Sequence, residues 1–360
     1  MRAGWVPARK PPPARRIGRF IALLFLLLIV AAIGYFLWMR STLNQPVAHS
    51  AAGEVISIHQ GMGPAAIVNR LGEAGIISHP NVLRIYLRIT GRGGRLKAGD
   101  YRFDSPITPL EAIGKIERGE ISAERVTIPE GLDRFEIAEL LAARTGKASA
   151  EQFMVLTYAT ELIEKIDPLA TNLEGYLFPD TYQFTATTAP EDLIKAMVER
   201  FNDVFTPDLA SRASQLGLSV HQVVTLASMI EEEARVPDER PRVASVFMNR
   251  LKRGMPLASD PTFIYAAKLA HDYDGNPNQP RHRRRDSHYN TYIYNGLPPG
   301  PISSPGRASL EAALNPETTD YLYFVVNGTA GRHKFSRTAA EHELAVQEYR
   351  RQREQQREGR

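Results

Sequence analysis

Residues 219–234, SVHQVVTLASMIEEEA, predict the helix on which the largest part of the fold is expected to depend. Ser219 followed three residues later by Gln222 matches a capping box, so we expect the helix to begin there. A repeat of about 100° per residue gathers the apolar side chains on one side of this helix. These side chains are Val220, Val223, Val224, Ala227, Ile230 and Ala234.

Three consecutive glutamates lie at the end of this helix, and the helical repeat points their side chains in different directions. Taking Val220 as the origin, Glu231 lies at roughly 20°, while Glu232 and Glu233 lie at roughly 120° and 220°. Glu231 is therefore expected among the apolar side chains, where a carboxyl holds its proton as a general acid must. The alternative is an acidic cluster at a helix end, with Glu231 reaching solvent.

Two further helices are expected to follow. Asp238 is expected to cap a helix that carries Val243, Phe247 and Leu251 on one face and ends at Gly254. Another begins at residues 259–262, SDPT, with a proline suited to the first turn. We interpret Asp260 as a helix cap in preference to a catalytic group.

A stretch rich in proline and glycine, HYNTYIYNGLPPGPISSPG, occupies residues 288–306. It offers Asn290, Tyr292 and Tyr294 on a stiffened chain without an apolar stripe. Amides and aromatic rings suit the wall of a binding groove, although such a loop can also simply brace a domain.

The charge distribution argues against a nucleic-acid partner. Residues 1–40 contain seven basic residues and no acidic one, so a chain of net charge +4 carries about −3 on the remainder. The chain has no cysteine, which excludes thiol, disulfide and zinc–thiolate chemistry.

Residues 20–39, FIALLFLLLIVAAIGYFLWM, are uncharged and predict a transmembrane helix. At 1.5 Å per residue such a helix is about 30 Å long, the thickness of a bilayer core. Six basic residues precede it and Arg40 follows it, so residues 1–19 are expected to be a cytoplasmic tail and the remainder to lie outside. A cleaved signal peptide is the alternative.

The remainder is expected to be α+β. Residues 40–53 are interpreted as a linker, and residues 54–120 as a β-α-α-β unit similar in element order to a LysM module, with a further helix at 109–118. A mixed domain follows over 121–345, with helices near 133–144, 149–165, 189–203 and 207–216. A hairpin is expected to pair 321–326 with 333–335. Residues 346–360 are interpreted as a solvated, charged tail.

Several motifs together resemble the endolytic murein transglycosylases, the YceG-like family. The resemblance covers nearly all of the chain after the apolar segment. It is carried by NLEGYLFPDTY (172–182), LASMIEEEA (226–234), VASVFMNRL (243–251), SDPTFIY (259–265), YNTYIYNGLPPGPISSPG (289–306) and YLYFV (321–325).

The resemblance implies an inner-membrane protein with one span whose periplasmic domain cuts peptidoglycan glycan strands without a metal or cofactor, beside penicillin-binding synthases. It implies that the catalytic acid is the first glutamate of an E-x-E motif, Glu231. The implied substrate contacts are Glu233, Asp260, Asn290, Tyr292 and Ser304.

Two features are less typical of the family: His288 before Tyr289, and the loop 271–285, which ends in RHRRR. We interpret the basic run as a solvated loop, with contact to anionic peptide stems or lipid as the alternative.

Three other functions stay open on the sequence alone. A muramidase-type hydrolase would need a second carboxylate, which Asp260 or Glu233 could supply. A peptidoglycan-binding scaffold would need no acid. A metallopeptidase would draw on the histidines, but none forms an H-E-x-x-H pair; they are His271, His282, His288, His333 and His342.

Overall fold

The computed structural model describes residues 14–327 and 331–358 and divides them into two compact units. The first unit runs to Glu124 and also includes Thr185–Thr187. The second contains Arg125–Phe184 and the chain from Thr188 onward. Most of the predicted cytoplasmic tail, residues 1–13, and the end of the predicted charged tail, residues 359–360, lie outside the described residues.

The first helix, α1 (Ala14–Leu43), contains an apolar segment, Gly18–Leu43, that is long and apolar enough to cross a membrane. Its mean hydropathy is 2.9 and its side chains are largely exposed, as lipid-facing groups would be. The last turn is different, because Met39 and Leu43 are fully buried in the core of the first unit. The predicted span therefore ends inside a folded unit.

The first unit has the predicted order of helices and strands. It consists, after α1, of β1 (Ile56–Ile58), α2 (Pro64–Glu73), α3 (Pro80–Thr90), β2 (Gly99–Tyr101) and α4 (Pro109–Arg118). β1 and β2 form an antiparallel pair. Both strands have three residues, and a 3-10 turn at Arg92–Arg95 precedes β2. The mixed helix and sheet composition is confirmed, while likeness to a LysM module stays a prediction.

Residues 40–53, interpreted from the sequence as a linker, pack against the first unit. Val47 forms an isolated antiparallel bridge with Ile107, with backbone hydrogen bonds of 2.8 and 3.1 Å in the two directions. Leu43 and Ala51 are buried. The few apolar residues of this segment are enough to hold it against the first unit, although its polar and proline content is typical of a linker.

The second unit is mostly helical with two small sheets. Its elements are β3 (Glu124–Thr127), α5 (Arg134–Thr145), α6 (Ala150–Leu156), β4 (Thr181–Phe184), α7 (Pro190–Val204), α8 (Pro207–Gln215), α9 (Val220–Glu233), α10 (Arg240–Lys252), α11 (Asp260–Leu269), α12 (Pro280–Arg283), α13 (Arg307–Leu314), β5 (Tyr323–Asn327), β6 (Arg332–Ser336) and α14 (Ala339–Glu358). β3 pairs with β4, and β5 pairs antiparallel with β6.

The helix predicted over residues 149–165 is only half as long as expected. α6 ends at Leu156, and a 3-10 turn at Thr160–Leu162 follows. The Thr157 carbonyl accepts from the Leu173 N–H at 2.7 Å, so it is not available to continue the helical ladder. A long-range contact thus overrides the local helical pattern.

α9 begins as predicted, since Ser219 and Gln222 form a reciprocal capping box. Residues 223–230 are buried without exception, because α8, α10, α11 and α13 surround this helix. The two buried hydroxyls, Thr225 and Ser228, donate to backbone carbonyls within the helix. α9 is therefore a core helix over residues 223–230, and its exposed side chains lie near its two ends, at Gln222 and Glu232.

Neither predicted aspartate cap is present. Asp238 lies in a 3-10 turn before α10 and pairs with Arg332 at 3.1 Å. Asp260 is the first residue of α11, with Ser259 at the capping position, and its carboxylate bonds to a tyrosine.

The predicted hairpin is confirmed as β5 and β6, with Phe324 opposite Phe335, while residues 328–330 of its turn lie outside the described residues. The predicted charged tail at 346–360 is helical as far as Glu358, since α14 continues through it, and most of its side chains are exposed over residues 346–355.

Candidate active site

Glu231 lies in the last turn of α9 with both carboxylate oxygens engaged. Arg240 Nη2 donates to Oε1 at 2.9 Å, and the Gly306 N–H donates to Oε2 at 2.9 Å. The side chain is 6% exposed. The prediction of apolar surroundings is wrong, because the start of α10 and the end of the proline-rich loop supply polar donors at this point. Glu231 thereby links three segments of the chain.

A cleft of about 370 Å³ opens beside Glu231. We call it the first cleft. It is lined by Glu130, Gly131, Leu132, Asp133, Glu136, Glu231, Glu232, Pro261, Ile264, Tyr265, Lys268 and Ile302. Glu130 Oε2 is 3.8 Å from the same Arg240 nitrogen, and partial burial together with the charge of Glu231 raises the pKa of Glu130. The first cleft is thus a network of charged side chains.

Glu233, the last residue of α9, lines a different cleft. Burial raises the pKa of Glu233 to about 7; the neighbouring Asp260 acts in the same direction, and a hydrogen bond from Ser259 offsets part of the rise. The Ser259 hydroxyl donates to Glu233 Oε1 at 2.6 Å. A carboxyl of this kind is populated in both protonation states near neutral pH, as acid–base catalysis requires. Helical phase places Glu233 away from the apolar side of α9, and the structure places it half-buried at the wall of this cleft.

This second cleft has a volume of about 470 Å³. It is lined by Glu233, Arg250, Leu257, Ala258, Asp260, Arg283, Tyr292, Tyr323, Phe324, Val325, Val326, His333, His342 and Val346. Three of the predicted site residues therefore come together here: Glu233, Asp260 and Tyr292. The hairpin β5–β6 and α14 form the opposite wall.

Tyr292 connects two charged groups of the second cleft. Its hydroxyl donates to Asp260 Oδ1 at 2.5 Å, and the Arg283 guanidinium carbon lies 4.1 Å from its ring centroid. Burial, with the Asp260 hydrogen bond, raises the pKa of Tyr292, so this hydroxyl stays protonated. Because Arg283 covers one ring face, that face is not available for stacking on a sugar.

Asn290 is fully buried and braces the loop. Its side-chain amide donates to the carbonyl of Arg283 at 3.0 Å and to that of Arg285 at 2.9 Å, and its Oδ1 accepts from the Tyr292 N–H. Both amide hydrogens are thus committed within the protein, which contradicts the substrate contact that the resemblance implied for Asn290. Asn290 positions Tyr292 instead.

Ser304 is also fully buried and acts through its backbone. Its N–H donates to the Leu132 carbonyl at 2.9 Å, and its carbonyl accepts from the Gly131 N–H at 3.0 Å. These bonds join the proline-rich loop to the segment after β3 and help to form the first cleft. The predicted substrate contact of Ser304 therefore does not lie in the cleft that holds Glu233.

The five histidines considered for a metal site serve other contacts. In the second cleft, His333 Nδ1 is 2.8 Å from buried Glu239, and His342 stacks on Tyr323. His282 Nε2 lies 3.3 Å from Asp274. Within residues 14–327 and 331–358, no group of three or more His, Asp and Glu side chains is arranged to hold a metal ion.

Sequence reasoning did not single out Ser259, Arg240 or Glu130. Ser259 stands next to Asp260 in the quoted SDPTFIY motif, and a hydroxyl at a helix start is usually interpreted as a cap. In the structure, its side chain makes no capping bond and reaches Glu233 instead. The signal that the sequence offered for Ser259 was its place at the start of a helix, two residues before Pro261, and that place indicated a helix cap.

A carboxyl with a pKa near neutrality, in a cleft with tyrosine, arginine and histidine side chains, defines the class of acid–base enzymes. The chain belongs to the YceG-like family, whose model matches residues 56–348. It is 34% identical to the endolytic murein transglycosylase of Bacillus subtilis (strain 168), over 88% of this chain and 90% of the relative.

Two further comparisons agree with this assignment. The chain is 29% identical to the endolytic murein transglycosylase of Streptococcus pneumoniae serotype 2, covering 91% of this chain and 64% of that longer relative. A crystal structure of a yceG-like protein from Listeria monocytogenes superimposes with a TM-score of 0.55 at 32% identity, over 81% of this chain and 97% of the other.

Proposed function

We propose that this protein is a lytic transglycosylase that cuts peptidoglycan glycan strands, with Glu233 as the acid and base. The substrate class follows from the names of the relatives. The observation that carries the mechanism is the half-buried Glu233 carboxyl, which lines the second cleft, accepts the Ser259 hydroxyl at 2.6 Å and has its pKa raised to about 7 by burial. Such a group gives and takes a proton within one catalytic cycle at neutral pH.

The reaction uses one carboxyl in two states. Protonated Glu233 donates to the glycosidic oxygen between N-acetylmuramic acid and N-acetylglucosamine while positive charge develops at C1 of the muramyl residue. The resulting carboxylate removes the proton from the C6 hydroxyl of the same residue, which attacks C1. The product ends in a 1,6-anhydro sugar, and Glu233 is protonated again.

The acid assigned here differs from the Glu231 expected on sequence grounds. Both oxygens of Glu231 accept hydrogen bonds, one of them from a guanidinium 2.9 Å away. Glu233 receives one hydroxyl bond and faces the second cleft. Ser259 steadies the Glu233 carboxylate after proton transfer, and Asp260 and Tyr292 shape the wall that faces it.

A hydrolytic muramidase is the second candidate, because Asp260 supplies another carboxylate to the same cleft. We favour transglycosylation because the Asp260 carboxylate accepts the Tyr292 hydroxyl at 2.5 Å, which directs that oxygen toward the protein.

We also propose how the protein is placed in the cell. Residues 20–39, within the apolar segment Gly18–Leu43, would anchor it in the inner membrane by one span, with six basic residues before them on the cytoplasmic side. The folded units would then lie in the periplasm. Residues 54–120, within the first unit, would act as a LysM-like module, residues 121–345 as the catalytic domain and residues 346–360 as a charged extension. Penicillin-binding synthases are the proposed neighbours.

Product analysis tests this function. Full-length protein in detergent is incubated with purified glycan strands in water enriched in heavy oxygen, and the fragments are examined by mass spectrometry. We expect anhydro-muramyl ends without heavy oxygen. Reducing ends that carry heavy oxygen would indicate hydrolysis, and intact strands would indicate a scaffold.

A further inference from the structure

Two arginines line the second cleft, Arg250 and Arg283, and they differ in the hydrogen bonds that their guanidinium groups make within the protein. Arg250 donates from Nε to the Leu322 carbonyl at 2.6 Å and from Nη1 to the Leu257 carbonyl at 2.6 Å, and its guanidinium lies over the Tyr323 ring. This guanidinium holds the β5 strand to the segment before α11. Arg250 is therefore a structural group of the cleft wall.

Arg283 is exposed and makes a different contact. Its guanidinium lies over the Tyr292 ring at 4.1 Å. Within the described part of the chain, no carboxylate lies within ion-pair distance of it. Stacking on an aromatic face holds a guanidinium in place while its N–H groups, which lie in its plane, stay free to donate. The Asp260 hydrogen bond in turn fixes the Tyr292 ring.

The basic run 281–285 is not a uniform charged surface. Arg281 pairs with Asp274 at 2.9 Å and lies 3.7 Å from Asp272, and Arg285 also pairs with Asp272. The charges of these two arginines are therefore balanced within the loop. Arg283 and Arg284 are left, and only Arg283 lines the second cleft.

The other basic groups of this cleft do not offer a comparable charge. His333 is bound to buried Glu239 at 2.8 Å. Burial lowers the pKa of His342, with the nearby Arg250 acting in the same direction, so His342 is neutral at neutral pH. An anion that enters the second cleft therefore meets Arg283 as the exposed cation.

We infer that Arg283, held on Tyr292, is a subsite for a carboxylate of the stem peptide that the glycan strand carries beside the bond to be cut. This inference rests on the proposed function. The bond is cut at C1 of the muramyl residue, and the peptide leaves C3 of the same ring through its lactyl group. The peptide is therefore within one sugar of Glu233 whenever the acid is engaged. A planar guanidinium binds a carboxylate through two parallel hydrogen bonds.

The test compares two substrates with the full-length protein in detergent: glycan strands that carry stem peptides, and the same strands after an amidase has removed them. The measured quantity is the ratio of kcat/KM for the two substrates. We expect Arg283→Ala to lower this ratio by about tenfold, the value of a charge-assisted hydrogen bond, mainly through KM. Arg283→Lys should recover part of it, and Arg284→Ala, the matched control, should leave it unchanged.

Salt provides a second measurement that needs no variant. The ratio for the unaltered protein should fall as sodium chloride rises, because salt screens an exposed ion pair. A ratio that is insensitive to both Arg283→Ala and salt would overturn the subsite. An equal effect of Arg284→Ala would do the same, since it would indicate general attraction by the loop. Failure of the unaltered protein to cut either substrate would instead contradict the proposed function.

Discussion

Replacing Glu233 by glutamine should stabilise the folded protein at alkaline pH. Burial raises the pKa of Glu233 from 4.5 to about 7, which corresponds to about 3 kcal/mol. Below pH 4.5 the carboxyl is protonated in both the folded and the unfolded state, so its burial does not lower the free energy of unfolding. Above pH 7 it is ionised in both states, and the buried charge then lowers the free energy of unfolding by that amount.

The assay is thermal unfolding of the full-length protein in detergent at pH 5 and pH 8. For a unit of this size, about 3 kcal/mol corresponds to about 5–10 °C in Tm. The gain of Glu233→Gln over the unaltered protein should therefore appear at pH 8 and be small at pH 5.

Glu231→Gln is the matched control and should have the opposite sign. It weakens the bonds to Arg240 and Gly306, so it should destabilise the protein at pH 8 by about 1–3 kcal/mol. Equal Tm differences for Glu233→Gln at both pH values would refute the argument, since an uncharged or solvated Glu233 carries no such pH dependence.

Three further predictions concern residues around the site. Ser259→Ala removes a bond that stabilises ionised Glu233, so the pKa of Glu233 should rise further and the optimum of kcat should move up by about one pH unit in a rate profile. Gly175 has a φ of +81°, and Gly175→Ala would place a Cβ 2.6 Å from the Pro301 side chain, so it should lower the free energy of unfolding in denaturant by about 3 kcal/mol or more. Gly217 has a similar φ of +71° but open space around it, so Gly217→Ala should lower that free energy by about 1 kcal/mol. The hydrogen bond with the Asp167 carboxylate raises the pKa of His221, whose other ring nitrogen faces the Pro299 carbonyl. The resulting stabilisation is full below pH 6.5 and is lost as pH rises through the higher pKa of the folded protein, so His221→Gln should destabilise more at pH 6 than at pH 9.

Helix starts were predictable where a side chain caps its own helix. Ser219 with Gln222 forms the expected capping box, and Asp133 with Glu136 forms another at the start of the helix expected over residues 133–144. Local chemistry decides such positions, and no distant contact competes with it. Asp238 could not be assigned in the same way, because Arg332, far along the chain, binds its carboxylate.

Helical phase could not distinguish Glu231 from Glu233 as the acid. It gives the direction in which each side chain leaves the helix but not the residues that surround it. Arg240 approaches Glu231 from the next helix, and Ser259 approaches Glu233 from a segment 26 residues further on. The hairpin that closes the second cleft lies almost a hundred residues beyond α9. The motif LASMIEEEA therefore identified the helix end that carries both glutamates, and our proposal assigns the acid to Glu233 where the sequence predicted Glu231.

The most direct test of which carboxyl transfers the proton is to measure kcat for the two variants Glu233→Gln and Glu231→Gln under the same conditions. With release of anhydro-muramyl fragments followed by mass spectrometry, we expect Glu233→Gln to lower kcat by at least about a hundredfold. Glu231→Gln should stay within about tenfold of the unaltered protein, because its side chain positions neighbouring segments. Near-normal turnover in Glu233→Gln, with complete loss in Glu231→Gln, would contradict the assignment.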